Sequence, residues 1–125
     1  METPEQAVLA SVNAFLACVG ACDGATMLAL VLPDTGLTRT EGGKMERMSI
    51  ADLAAKLPPA SAGLDERIHN PLVRVDGDLA MVWASYTLAI KGKVHHRGTD
   101  LFNLVRIEGR WMISSLAYTV EASAA

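Results

Sequence analysis

Apolar residues recur at helical spacing in the first part of the chain. Val8, Val12, Phe15, Leu16 and Val19 fall on one stripe, the period expected of a helix that buries one face. Thr3-Pro4-Glu5-Gln6 marks its start. Thr3 caps, Pro4 suits the first helical position, and Gln6 completes a capping box. Gly20 weakens the helix near its end. Asp23 then caps a short second helix that carries Met27, Leu30 and Val31 and stops before Pro33. Asp34-Thr35-Gly36 reads as a turn, and Leu37 to Glu41 as a short strand ended by Gly42-Gly43. Ser49-Ile50-Ala51-Asp52 opens a third helix that runs through Leu57, where Pro58-Pro59 stops it. Residues 59–63 read as a loop.

From Leu64 onward the period changes to that of strands. One runs from Asp65 to Val75, with a bulge or a sheet edge at Asn70-Pro71 because proline has no ladder donor. Asp76-Gly77 leads into a long strand, Leu79 to Ile90. Lys91-Gly92 leads into Val94 to Ile107, and Glu108-Gly109 into Arg110 to Val120. Each x-Gly pair suits a two-residue hairpin turn. Glu121 to Ala125 is expected to fray. Helices first and strands afterwards predict one α+β domain over residues 1–125.

If every such turn is two residues long, the pairing follows by counting. Arg106 then faces Trp111, Leu104 faces Ile113, and Phe102 faces Ser115. Trp83 faces Asp100, and Met81 faces Phe102. Met81, Trp83, Asp100, Phe102, Leu104, Trp111 and Ile113 would share one side of the sheet. Tyr86, Leu88, Leu101, Asn103, Leu116 and Tyr118 would lie on the other. Both sides are substantially apolar, so both are expected to be covered. The helices can cover one. A second copy of the chain is the natural cover for the other, through Tyr86, Leu101, Asn103 and Tyr118.

Composition narrows the function classes. Of 125 residues, 50% are hydrophobic and 20% charged, which is apolar for so small a domain. The net charge of −3 and the scattered basic residues disfavour nucleic acid and anionic membranes as partners. The apolar run from Ala7 to Cys22 follows the acidic Glu2-Thr3-Pro4-Glu5, not the basic leader of a secretory signal. The chain is read as cytoplasmic. Cys18 and Cys22 lie one helical turn apart and read as small buried thiols, not as a redox pair.

The order of elements resembles that of the nuclear transport factor 2-like superfamily. Leu79-Ala80-Met81-Val82-Trp83-Ala84, Gly98-Thr99-Asp100-Leu101-Phe102 and Gly109-Arg110-Trp111-Met112-Ile113 are similar to segments of its small SnoaL-like bacterial members. The resemblance covers nearly the whole chain. It implies a cone-shaped, cystatin-like fold in which N-terminal helices pack on a curved antiparallel sheet, with a pocket at the wide end and frequent dimers. Activities in that superfamily include ketosteroid isomerase, polyketide cyclase, dehydratase and epoxide hydrolase. The isomerase resemblance places a proton-abstracting acid near Glu41. It also implies an oxyanion-hole tyrosine on the first helix, which this chain lacks. The aspartate that cyclases carry on the last strand is lacking too, since that strand reads Ile113-Ser114-Ser115-Leu116-Ala117-Tyr118.

Among the residues themselves, Asp100 stands out as an acid in apolar company. A desolvated carboxyl has a raised pKa and can serve as general acid or base. The alternative is a carboxylate paired with Arg97, Arg67 or a backbone donor. His69 stands beside the expected bulge, which could aim it into a site as a base or donor, or leave it bonded to backbone or water. Trp83, Phe102 and Met81 could line an apolar pocket or belong to the core. His95 and His96 point to opposite faces of a strand, so they do not chelate one metal together. No metal or cofactor is implied. The two expectations are a dimeric pocket protein working by cofactor-free proton transfer on a ring ketone or polyketide-like ligand, and a non-catalytic interaction module.

Overall fold

The computed structural model describes residues 1–121; most of the tail expected to fray lies outside them. Helix α1 spans Pro4–Ala21 and α2 spans Gly24–Ala29. Strands β1 (Gly36–Glu41) and β2 (Lys44–Ser49) form a hairpin, followed by α3 (Ile50–Ala55). After one 3-10 turn come β3 (Leu64–Asp76), β4 (Leu79–Ile90), β5 (Lys93–Ile107) and β6 (Arg110–Thr119). The capping box at α1 forms as expected: Thr3 Oγ1 accepts from the Gln6 amide at 3.1 Å, and Gln6 Oε1 accepts from the Thr3 amide at 2.9 Å. No helix among the described residues is long and apolar enough to cross a membrane.

The strands make one curved six-stranded sheet in the order β2-β1-β6-β5-β4-β3. Two features depart from the expected antiparallel meander. β2 is an additional strand, and Gly42-Gly43, read as a strand end, is the two-residue turn that joins it to β1. β1 also runs parallel to β6, pairing Leu37 with Leu116 and Arg39 with Tyr118. A parallel pair needs a long crossover between its strands, and β2 through β5 supply it.

The three C-terminal hairpin turns are two residues long, and Lys91, Gly92, Glu108 and Gly109 all have positive φ. Counting outward from them nevertheless fails after a few residues, because each ladder contains a bulge. Between β4 and β5, Ala89 pairs with Val94 but Leu88 pairs with His96, leaving His95 as the extra residue. Between β5 and β6, Leu104 pairs with Ile113 but Asn103 pairs with Ser115, leaving Ser114 extra. The register slips at Asn70-Pro71 too, as expected, with Asn70 at φ 49°.

A slip of one residue exchanges the faces of everything beyond it. Asp100 therefore faces Ala84 and Tyr118, not Trp83, and Phe102 faces Val82, not Met81. Val82, Ala84, Tyr86, Phe102, Leu104 and Ile113 are buried on the side that meets the helices. Met81, Trp83, Leu101 and Asn103 lie on the other side. α1 presses its stripe against the inner side, where Phe15 meets Phe102 edge to face at 5.9 Å between centroids. It also lies so close to the start of β3 that a Cβ on Gly20 would run into the Leu64 carbonyl oxygen. The glycine that weakens the helix by propensity is what lets it dock. Cys18 is buried as expected. Cys22 is exposed, because it sits in the left-handed position that ends α1.

Candidate functional site

A cavity of ≈ 180 Å³ opens between the inner face of the sheet and the helices. α1 contributes Phe15 and Val19, and the α3 region contributes Leu53, Leu57 and Pro58. The sheet supplies every polar group: Glu66 from β3, Tyr86 from β4, His96 and Asp100 from β5, and Tyr118 from β6. No lysine or arginine lines it.

Asp100 is 2% exposed. The alternating phase of β5 aims it inward, and Gly98, two residues before it, packs directly on the β6 backbone. That glycine is demanded by packing, since a Cβ there would collide with the Thr119 backbone carbonyl. None of the arginines considered as partners reaches Asp100. Arg67 pairs with Asp65 at 3.0 Å on the surface, and Arg97 is exposed. The neighbour is another acid, Glu66. Burial pushes the Asp100 carboxyl up to about 9, and the charge and hydrogen bond of Glu66 push in the same direction. Burial raises Glu66 to about 7, partly offset by its hydrogen bond with Asp100. Asp100 is buried, Glu66 half-buried, and no lysine or arginine lines the cavity, so the two adjacent carboxyls do not both ionise readily: the pair holds a proton and titrates as a unit. Asp100 Oδ2 is buried and meets no amide, hydroxyl or basic side chain.

Two tyrosines stand beside the acids. Tyr86 donates to the Thr119 carbonyl at 2.7 Å and meets Tyr118 edge to face at 5.9 Å between centroids. Burial raises both phenols above their ordinary value. The nearby acids add to this, while Arg39 opposes it. Both tyrosines stay protonated at neutral pH.

The structure gathers only part of the predicted site. Asp100 lies on the cavity wall. Phe102 is fully buried behind it, in the core against Phe15. Met81 and Trp83 lie outside, Trp83 with 52% exposure, because the His95 bulge turned β4 relative to β5. His69 is on the outer face, with its Nε2 2.9 Å from Thr87 Oγ1; the bulge after it does not aim it inward. Glu41 sits at the exposed β1–β2 turn, where its carboxylate accepts from Arg39 at 2.7 Å. Neither joins Asp100. Tyr86 and Tyr118, read as dimer contacts, line the cavity instead. Glu66 was missed, although its position carried a signal. Leu64-x-Glu66-x-Ile68 places it in the apolar phase of β3, where a solvated acid would be out of step.

Helices on the inner face of a curved sheet, with an acid pair in an otherwise oily cavity, define a small α+β protein of the cystatin-like, NTF2-like type. Solved structures bear out the fold. An NTF2-like protein of unknown function from Shewanella baltica superposes with a TM-score of 0.72 at 19% identity, covering 98% of this chain and 100% of that one. An NTF2-like protein with a cystatin-like fold from Novosphingobium aromaticivorans gives 0.77 at 14% identity, over 96% and 83%. A cystatin-like protein of unknown function from Nostoc punctiforme gives 0.74 at 14%, over 94% and 90%. No curated protein matches the chain. By the family model that matches residues 3–119, the chain belongs to the family described as "Putative lumazine-binding".

Proposed function

We propose that the protein binds a planar one- or two-ring molecule in the cavity between the helices and the sheet, and exchanges a proton with it through Glu66 and Asp100. The facing carboxyls in an apolar enclosure carry this reading. Together they hold one mobile proton and a set of basic lone pairs, the equipment for moving a proton between two atoms of a bound ring. One carboxyl of the pair serves as the acid while the other serves as the base. Isomerisation, dehydration or cyclisation without a cofactor, as in SnoaL-like and ketosteroid isomerase-like proteins, are the reactions such a pair can serve. The volume sets the scale. An apolar cavity of about 150 Å³ accommodates benzene, so ≈ 180 Å³ suits a compact one- or two-ring ligand and not a steroid. The family's description names lumazine, a two-ring heterocycle, and that size class fits.

A thermal-shift screen of one- and two-ring compounds tests the reading, since a ligand that binds only the folded state raises the melting temperature. Hits should lose their effect in Asp100→Asn. A hit list dominated by multi-ring compounds, or hits indifferent to Asp100, would reject it.

The outer face of the sheet supports a second proposal, a homodimer. Leu72 and Trp83 stand 47% and 52% exposed there, beside Met81 and Leu101. A contiguous apolar surface of this kind is costly to leave in water. With Tyr86 and Tyr118 turned inward, the dimer contact rests on Leu101 and Asn103 together with Met81 and Trp83.

A further inference from the structure

Resting on the pocket reading above, we infer that the ligand carries an uncharged, hydroxylated side arm. The arm leaves the cavity past Tyr118 and lies along a polar groove that ends at the β1–β2 turn. Three cavities adjoin on the inner face of the sheet. The one that holds the acids shares Leu37 and Tyr118 with a second, of ≈ 110 Å³. The second shares Arg39 and Glu46 with a groove of ≈ 440 Å³ that is also lined by Glu41 and Lys44.

The register of the strands places them in line. Asp100 pairs with Tyr118, Tyr118 with Arg39, and Arg39 with Glu46. Residues opposite one another share a face, so these four side chains form one row across β5, β6, β1 and β2. The outer end of the row is open to water. Glu46 is exposed, and the Arg39 side chain is 32% exposed. Neighbouring strands lie about 4.8 Å apart, a step that a three-carbon arm spans. The inner cavity confines the ring, and the row beyond Tyr118 is the way out for a substituent.

The groove selects the chemistry of the arm. Arg39 and Lys44 offer donors, and Glu41 and Glu46 offer acceptors, so both signs stand close together. Arg39 gives an N–H to Glu41 at 2.7 Å, and a guanidinium has five. A carboxylate arm would compete with Glu41 for Arg39 and lie against Glu46. An ammonium arm would meet Arg39 and Lys44. An alkyl arm would strip water from these charges and return nothing. A hydroxyl both donates and accepts, so successive hydroxyls accept from Arg39 and donate to Glu46 without displacing either charge. At the entrance, Tyr118 lines both cavities and its phenol stays protonated. It donates to the oxygen that joins ring and arm. His96, in the cross-strand row of Leu88 and Glu66, serves the ring and not the arm.

Calorimetry with three naphthyl ethers tests the arm. They are 3-(2-naphthyloxy)propane-1,2-diol, its alkyl analogue 2-propoxynaphthalene, and the anion 2-naphthoxyacetate. The diol should bind roughly 3- to 10-fold tighter than the propyl ether, and tighter than the carboxylate. Arg39→Met and Glu46→Gln should each bring the diol down toward the propyl ether, and either gives a reading if the other folds poorly. Arg97→Met, which removes an exposed cation from the opposite face of β5, should leave the preference unchanged. Equal binding of the diol and the propyl ether, or a carboxylate that binds tightest, would overturn the arm and leave the pocket in place. So would a preference that survives in both groove variants, or one that Arg97→Met weakens as much as they do. Failure of all three ethers to bind would remove the pocket reading and this inference together.

Discussion

Glu66 and Asp100 come from strands that are not neighbours, yet their carboxyls meet at one wall of the cavity. β4 lies between β3 and β5 in the sheet, and the pair reaches across it, close enough to hydrogen-bond. The cavity owes its chemistry to this contact. Every other polar group in the lining is a phenol or an imidazole.

The pair makes stability depend on pH in an unusual direction. In the unfolded chain both acids lose their protons near pH 4. In the folded chain the pair gives up its protons with apparent pKa values of about 7 and about 9. The folded state therefore binds more protons over that window, and stability falls as pH rises through it. Urea unfolding should give a free energy lower at pH 9 than at pH 5, by on the order of several kcal/mol. Asp100→Asn should flatten most of the slope. A wild-type stability that rises from pH 5 to pH 9 would mean that the carboxyls are ionised and apart.

Gly20→Ala should run against helix propensity. Alanine is favoured over glycine inside a helix by about 1 kcal/mol. Here the added Cβ meets the Leu64 carbonyl oxygen, which is backbone and cannot turn aside. The substitution is expected to destabilise by roughly 1–3 kcal/mol, read from the urea midpoint at constant slope. A stabilised variant would show that α1 sits further from β3.

Phe102 belongs to the core, and a substitution should act on folding before binding. Phe102→Ala removes a fully buried ring that packs on Phe15, at a cost of about 3–5 kcal/mol. Molecules of the variant that remain folded should keep the ligand binding that depends on Asp100. A variant of wild-type stability with lost binding would return Phe102 to the ligand site.

Trp83 offers the sharpest test of the dimer. Trp83→Asp places a charge at the centre of the exposed apolar face, on the side of the sheet away from the cavity. Sedimentation should show the wild-type protein as a dimer at micromolar concentration and the variant as a monomer, with ligand binding intact. A monomeric wild-type protein would remove the proposal.

Much of the architecture could be read along the chain. The caps of α1, α2 and α3 and the turns at Lys91-Gly92 and Glu108-Gly109 are local signals, each decided within about four residues, and they are where they were expected, while the β3–β4 turn is Gly77-Asp78, one residue later than Asp76-Gly77. The β1–β2 hairpin was read only in half. Lys44 to Ser49 is almost wholly exposed, so it lacks the apolar alternation that announces a strand. Of the candidate site residues, Asp100 alone lines the cavity.

What the sequence determined by itself was the identity and order of the elements other than β2, because periodicity, caps and turn residues act over short distances. It also marked Asp100 as an acid in apolar surroundings. The tertiary structure decided which face each residue joined. Single extra residues at His95 and Ser114 reverse the side of the sheet for all that lies beyond them, and a bulge is a compromise among ladders that no one strand encodes. The same long-range pairing brought Glu66 to Asp100 and carried Trp83 away. A site made of side chains from four strands exists only once the register of all four is set.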